Sequence, residues 1–455
     1  MNILMMTNTY KPLLGGLERS VEIFTKEYRK LGHTVMIVAP EFPNMQPEEG
    51  VIRIPAIQNF NGSDFSIQLP IPGVMSEALV DFKPHLIHTH HPFLIGDTAL
   101  RMATKYNAPL VFTHHTLYEE NVHYVPGNDE ALKRFVVELS TGYANLADHV
   151  FAPSESVMHL IKERGVTTPV TVVPTGIDVD KFNNGDGQAF RKKQNIPSEA
   201  FVIGHVGRLA PEKNLEFVTA AVAGFMKKEP RAHFLIGGKG PSEDKIKEIM
   251  ANAGVSDRLH LAGVVKGQDL IDTYHAMDTF VFASQSETQG LVITEAMSAK
   301  IPVIAVDAPG VREVVQDGVN GRLLPAENIE NFVMALEWLA AQPKTEITKI
   351  KKACRDIAME FSMEKCAERA IKVYADLVVE GFFRKHTEDS PWTRTTRMVQ
   401  TQWELVKNLT IAAGAMLSPA LGTTASSDVN NTPPPPPSGP SSLPDIKKND
   451  EAASK

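Results

Sequence analysis

The sequence predicts an α/β protein: two Rossmann-like, doubly wound parallel-sheet domains facing a cleft, with a C-terminal helical extension and a disordered tail. Three observations predict it. Short apolar runs alternate with amphipathic helical stretches from the first residues, the pattern of parallel strands joined by crossover helices. The alternation breaks once, in the polar stretch NNGDGQAFRKKQNIPSEA (183–200), and then begins afresh. At 455 residues the chain is too long for one ordinary core. The expected units are 1–185, 186–380, a helical extension over 381–422 and a tail over 423–455.

Taken in order, NILMMTN reads as a buried strand. After KPLLGG, the stretch LERSVEIFTKEYRKLGH repeats Leu17, Val21, Phe24, Tyr28 and Leu31 at helical spacing, and Gly32 stops it. TVMIVAP, HLIHTHH, PLVFTHHT, HVFAPS and VTVVPTG are the following strands. Beyond the break the strands are FVIGHVGRL, HFLIGGKG, RLHLAGVV, TFVFAS, PVIAVD and GRLLP, with helices such as NLEFVTAAVAGFMKK and SEDKIKEIMANAG between them. Two such sheets set a ligand cleft between their carboxyl ends. The second series ends near residue 380. WTRTTRMVQTQWELVKNLTIAAGAMLSPALG then forms an amphipathic helix, with Met398, Trp403, Leu405, Val406 and Leu409 as its apolar residues. The closing Pro/Ser-rich stretch has too few apolar residues to offset the entropy of ordering.

Composition narrows the function. The formal net charge is -8, so there is no global basic field and a nucleic-acid partner is disfavoured. The two cysteines, Cys354 and Cys366, form no zinc or disulfide pattern, which fits a reducing, cytosolic compartment. MNILMMTNTYKP lacks a basic region and a long apolar run, so no signal peptide is expected. No apolar stretch reaches the ~18 residues that a spanning helix needs.

Four stretches can carry chemistry. Gly15-Gly16 lies between a strand and a helix, where glycines admit close backbone approach and the helix end offers N–H groups to an anion; a tight turn is the simpler alternative. In HVGRLAPEKN, Pro211 suits a first helical turn, which sets Lys213 at a helix start with Arg208 before it. Two cations there oppose the helix dipole and suit a bound phosphate, or else are plain surface charges. In SETQGLVITEAM, the first-turn N–H groups of Gly290, Leu291 and Val292 can hold a diphosphate. Glu287, just before them, is placed for a sugar hydroxyl, and Glu295, further in, for a ribose diol; capping and buried-pair roles are the alternatives. His88, His90, His91, His114 and His115 cluster at two strand ends. Without matching carboxylate spacing they make a weak metal site, and a place in the cleft or a structural role suits them better.

These residues together resemble the retaining glycosyltransferases of family 4, which have the GT-B fold. The resemblance covers residues 1–378 and rests on Gly15-Gly16, THHT (113–116), PTGID (174–178), GRLAPEKN (207–214) and the E-x7-E pair with EAMSAKIPVIA (295–305). It implies that Arg208 and Lys213 hold the donor diphosphate, Glu287 the transferred sugar and Glu295 the ribose, with His115 near the reaction centre. Lys300-Ile301 departs from the family, which usually has Gly before the Pro. THHTLYEENVHYVPG with SETQGLVITEAM is most similar to bacterial diacylglycerol glucosyltransferases.

The resemblance implies transfer of a hexose from a nucleoside diphosphate sugar, UDP-linked, to an acceptor hydroxyl of a membrane lipid such as diacylglycerol. It implies retention by front-side displacement, with no metal and no cofactor beyond the donor substrate. A polysaccharide or small-molecule acceptor, a sugar-nucleotide epimerase and a non-catalytic binding scaffold are the rivals. Peripheral membrane contact is expected through the helix at 129–147, with Leu132, Phe135, Val136 and Leu139 on one face, or through the helix around Trp403. Each has packing on the first domain as its alternative.

Overall fold

A computed structural model of the chain describes residues 1–13, 15–57, 67–68, 79–119, 129–284, 287–388 and 391–417. The tail expected to be disordered from 423 lies outside the described residues, as do Gln285 and Ser286. Residues 1–416 form one compact unit.

The first domain's strands are β1 (Asn2–Met6), β2 (Thr34–Pro40), β3 (Val51–Ile54), β6 (Leu86–Thr89), β7 (Leu110–Thr113), β8 (His149–Ala152) and β9 (Val170–Val172). A small antiparallel pair, β4 (Ala56–Ile57) and β5 (Ile67–Gln68), stands apart. The larger sheet is parallel, in the order β3-β2-β1-β6-β7-β8-β9. Its strands are nearly all apolar because both faces are covered. On one face lie α2 (Ile95–Tyr106), α3 (Asp129–Ala144) and α4 (Glu155–Glu163), whose Ile95, Ala99, Tyr143 and Ile161 pack on Leu4, Ile87 and Phe112. On the other lies α1 (Gly16–Lys30), which buries Val21, Phe24 and Tyr28. Leu31 departs from the expected stripe: it sits past the helix end and is exposed.

After α5 (Gly187–Lys193), the second domain holds β10 (Phe201–Val206), β11 (Ala232–Gly237), β12 (Leu259–Gly263), β13 (Thr279–Phe282), β14 (Val303–Val306) and β15 (Gly321–Leu324). They form a parallel sheet in the order β12-β11-β10-β13-β14-β15. The helices are α6 (Leu215–Lys228), α7 (Glu243–Asn252), α8 (Gly267–His275), α9 (Leu291–Ser298), α10 (Ile329–Ala340) and α11 (Lys344–Glu360). In both sheets the strand order reverses beside the first strand, which opens a crevice at the carboxyl ends of β1 and β6 and of β10 and β13.

The chain then returns. The expected boundary at 380 falls inside α12 (Met363–Glu388), whose Cys366, Ala367, Ala370 and Tyr374 pack with α1 on the first sheet. The outgoing and returning passages touch. Ile177 N–H donates to Phe361 C=O (2.9 Å), and Met363 N–H donates to Ile177 C=O (3.0 Å). A Cβ on Gly176 would fall 2.2 Å from Met363 Cα, so only glycine allows this approach. Finally α13 (Pro391–Leu417) lies along the first domain, its Leu405 packed on that domain's core.

Candidate active site

The candidate residues sit on the loops that follow β1, β6, β7, β10 and β13. Gly15 caps α1 in extended conformation with no side-chain cap, and the Glu18 carboxylate lies where a Cβ on Gly15 would fall. A Cβ on Gly16 would lie 3.7 Å from Leu291 Cδ1, so the glycine pair faces the start of α9. Gly290 takes φ 72, a left-handed conformation that glycine adopts freely, and from it α9 begins at Leu291. Leu291 and Val292 are part-exposed at its first turn, where helix geometry leaves N–H groups without intrahelical partners.

Arg208 and Lys213 follow β10. Pro211 opens a short 3-10 turn that ends at Lys213, and Asn214 in left-handed conformation precedes α6. Lys213 therefore stands on a tight turn rather than in the first turn of an α-helix. Its Nζ reaches Glu287 Oε2 at 2.9 Å, with both side chains only about a fifth exposed. Arg208 is 61% exposed and pairs with Glu212, so Lys213, not Arg208, is brought to Glu287.

Glu295 is buried, at 1% exposure. Its Oε2 accepts from the Tyr274 hydroxyl (2.8 Å), and its Oε1 meets Arg19 Nη2 of the first domain at 2.5 Å. That ion pair is not aligned as a hydrogen bond, and Oε1 has no hydrogen-bond partner among the described residues. Oε1 is thus held by charge rather than by an aligned donor, and a ligand hydroxyl that displaced Arg19 would supply one. Glu295 in turn holds the Arg19 guanidinium above its ordinary pKa.

Two further contacts join the domains. Gln289 accepts from Thr175 N–H and donates to Thr175 C=O, both at 2.6 Å, and Ser156 N–H at the start of α4 donates to Glu313 (2.8 Å). Sequence reasoning missed Arg19, Tyr274, Gln289 and Glu313. Each acts through a partner distant in the chain, which leaves no local pattern.

The histidines form a buried network under the cleft. His90 Nδ1 lies 2.8 Å from His115 Nε2. His88 bridges Thr113 Oγ1 (2.6 Å) and the Tyr374 hydroxyl (2.6 Å), and His91 Nδ1 accepts from Asn8 N–H (3.1 Å). Among the described residues no three His, Cys, Asp or Glu side chains group as metal ligands. Burial pushes the pKa of His88 and His91 down to about 3 and of His114 to about 4, and carries His90 and His115 well below the ordinary value. Such rings stay neutral when folded and take up protons when unfolded. Stability is then full above pH ~6.5 and falls as pH drops from there towards the folded values, by up to about 1.4 kcal/mol per pH unit for each ring. Thermal melts from pH 7.5 to 4.5 should show a steadily falling Tm. A flat profile would mean that these imidazoles reach solvent.

The comparisons agree with this geometry. The model for "Glycosyltransferase Family 4" matches residues 14–181, and that for "Glycosyl transferases group 1" matches residues 186–356. The alpha-monoglucosyldiacylglycerol synthase of Streptococcus pneumoniae is 29% identical over 393 residues, covering 85% of this chain and 88% of its own. The synthase of the same name from Acholeplasma laidlawii is 26% identical over 393 residues, covering 83% and 98%. Among solved structures, Anabaena HepE in complex with UDP has a TM-score of 0.64 at 20% identity, over 83% of this chain and 100% of that one, a likeness of fold. The paired family matches, meeting in two facing parallel-sheet domains, establish that the protein belongs to the family 4 glycosyltransferases and has the GT-B fold.

Proposed function

We propose that the protein moves a hexose, with retention, from a UDP-sugar to a hydroxyl of a membrane lipid such as diacylglycerol, and that it needs no metal ion or other cofactor. The observation that carries the donor half is the meeting of Lys213, Glu287 and the open end of α9 at one point of the cleft. The lipid acceptor rests on the likeness to two diacylglycerol-directed synthases along most of the chain. A lipid acceptor and a soluble sugar nucleotide meet at the inner face of the cytoplasmic membrane, so that is the proposed place of work.

On this reading the diphosphate sits against the N–H groups of Gly290, Leu291 and Val292, with Lys213 and Arg208 balancing its charge as the bond to the sugar breaks. Lys213 leaves Glu287 for phosphate, and Glu287 turns to a sugar hydroxyl. Glu295 takes the ribose diol through Oε1 in place of Arg19, and Gly15-Gly16 leaves room for the donor. His115 is kept neutral and is oriented by His90 through Nε2, so its Nδ1 is the ring atom left to position the sugar. The departing phosphate oxygen accepts the acceptor's proton on the same face, which preserves the anomeric configuration.

The test is a donor and acceptor screen: UDP-glucose, UDP-galactose and GDP-mannose, each with and without diacylglycerol in mixed micelles. Mass spectrometry reads the products and NMR the anomer. The expected product is an α-hexosyl lipid made from a UDP-sugar alone. Isomerised sugar nucleotide without acceptor would overturn the reading in favour of an epimerase. Transfer only to soluble glycans would overturn the lipid acceptor.

A further inference from the structure

We propose that Arg19 is a third cation for the leaving diphosphate, supplied by the first domain. The donor's ribose takes its place on Glu295, and the freed guanidinium moves one helical turn to the phosphate. The inference rests on the ribose and diphosphate placements proposed above, and adds to them a residue and an exchange of partners.

Two ion pairs flank the start of α9. Just before it, Lys213 meets Glu287. One turn into it, Arg19 of the first domain meets Glu295. Leu291 and Glu295 share a helix face, about 6 Å apart along the axis. The first turn of α1 lies against that face: a Cβ on Gly16 would fall 3.7 Å from Leu291 Cδ1, and Arg19, in the same turn, reaches Glu295. The first-turn N–H groups of α9 therefore lie between the two pairs, with one cation from each domain beside them.

The cation is the partner free to move. The Glu295 side chain is 1% exposed and holds the Tyr274 hydroxyl, whereas that of Arg19 is 39% exposed and makes no aligned hydrogen bond to Oε1. A hydroxyl that offers Oε1 an aligned donor thus displaces Arg19. A guanidinium does not deprotonate in a protein, so it has to find another anion. The acids beside it on α1 are engaged: Glu22 pairs with Lys11 (3.0 Å), and Glu18 lies back over Gly15 at the end of its own helix. The diphosphate is the anion that remains, one turn of α9 away, about 5.4 Å. A planar, forked guanidinium grips two phosphate oxygens at once.

No group is left without a partner by this exchange. Two cations first pair with two carboxylates. Both carboxylates then accept from donor hydroxyls, and both cations hold the diphosphate between them. Negative charge on the leaving group grows as the glycosidic bond breaks, so Arg19 acts chiefly in the transition state. Because this cation belongs to the first domain, the leaving group is balanced only when both domains face it. A donor held by the second domain alone is thereby protected from transfer to water.

The experiment compares wild type, Arg19→Ala and Arg19→Lys by transfer kinetics, by titration with UDP and with uridine, and by thermal melts. Uridine has to break the Arg19–Glu295 pair with no phosphate to offer in return, while UDP offers one. Arg19→Ala should therefore bind uridine about tenfold more tightly and UDP about equally, while its kcat falls about 10- to 100-fold with donor KM not raised. Arg19→Lys keeps the ion pair, and so the fold, but loses the fork. It carries the test by itself where Arg19→Ala is too unstable: kcat should fall about 3- to 10-fold at an unchanged Tm. A kcat within about twofold of wild type in either variant would overturn the proposal. So would uridine and UDP tightening together in Arg19→Ala, which would make Arg19 only a plug in the ribose site, or a lowered Tm with every constant unchanged, which would make it only a brace. Glu295→Ala keeps the two claims apart. Uridine affinity unaltered by it sinks the ribose placement, while uridine affinity lost in it together with normal kcat in Arg19→Ala sinks the role of Arg19 alone.

Discussion

Lys213→Ala is expected to lower kcat about 100- to 1,000-fold while leaving the fold intact. The reason is where the charge is needed. Lys213 Nζ lies 2.9 Å from Glu287, so the cation is held close to the start of α9. Negative charge grows on the leaving diphosphate only as the glycosidic bond breaks. A positioned cation therefore favours the transition state over bound substrate, and removing one such group typically costs that factor. The ion pair is part-exposed and contributes only about 1 kcal/mol to folding, so the melting temperature should move little. Lys213→Arg keeps the charge with different geometry and should recover part of the rate. Glu287→Ala should also lose most of the activity, while Glu287→Gln, which still accepts from a sugar hydroxyl, should lose less. Steady-state transfer kinetics with the Tm alongside decide it; near-normal kcat in Lys213→Ala would remove this residue from the site.

Glu295→Ala is expected to weaken donor binding and to destabilise the protein. Its carboxylate holds both the Tyr274 hydroxyl and Arg19 of the other domain, and truncation leaves the buried hydroxyl without an acceptor. That loss is about 1–3 kcal/mol of folding stability. A hydrogen bond from ribose to a charged group is worth roughly 1.5–3 kcal/mol, so donor KM should rise about 10- to 100-fold. Arg19→Ala separates the roles: it removes the competing guanidinium, keeps the carboxylate, and should leave donor KM equal or lower. Calorimetric titration with UDP would check the same order of affinities. Donor affinity unchanged in Glu295→Ala would show that ribose lies elsewhere.

Much of this architecture was legible because burial writes itself into composition. The strands from NILMM to GRLL are continuous apolar runs, since both faces of each sheet are covered, and the glycine punctuation at Gly16 and Gly290 marks helix starts. Other features had no such trace. β3 is only half-buried, so VIRI lacks a clean pattern. The stretch from Met363 reads as an amphipathic helix, but nothing local says which core it serves; Tyr374 reaches His88, 286 residues away. Of the apolar residues expected in the last helix, Leu405 packs inward while Met398, Trp403, Val406 and Leu409 face out, a reversal that periodicity alone cannot reveal. Lys300, flagged as a departure, sits at φ 62 just past α9, where glycine would be less strained. In the site, the acids and cations were visible as types, but the pairing of Lys213 rather than Arg208 with Glu287 depends on the 3-10 turn and on side-chain reach.

The join between Ile177 and Met363 has a mechanical meaning. Two bodies tied by chain at two separated places would be locked; tied at two places that are themselves bonded, they keep one axis. Sliding or pulling apart would strain the hydrogen bonds at that point, whereas turning about it strains none of them. The soft motion is therefore a swing, with the contacts away from the pivot, Arg19–Glu295 and Ser156–Glu313, as the latches that end it. Departure of the spent nucleotide then becomes a question of how often the latches let go, and the slow step of turnover can sit at a pivot that never touches the sugar.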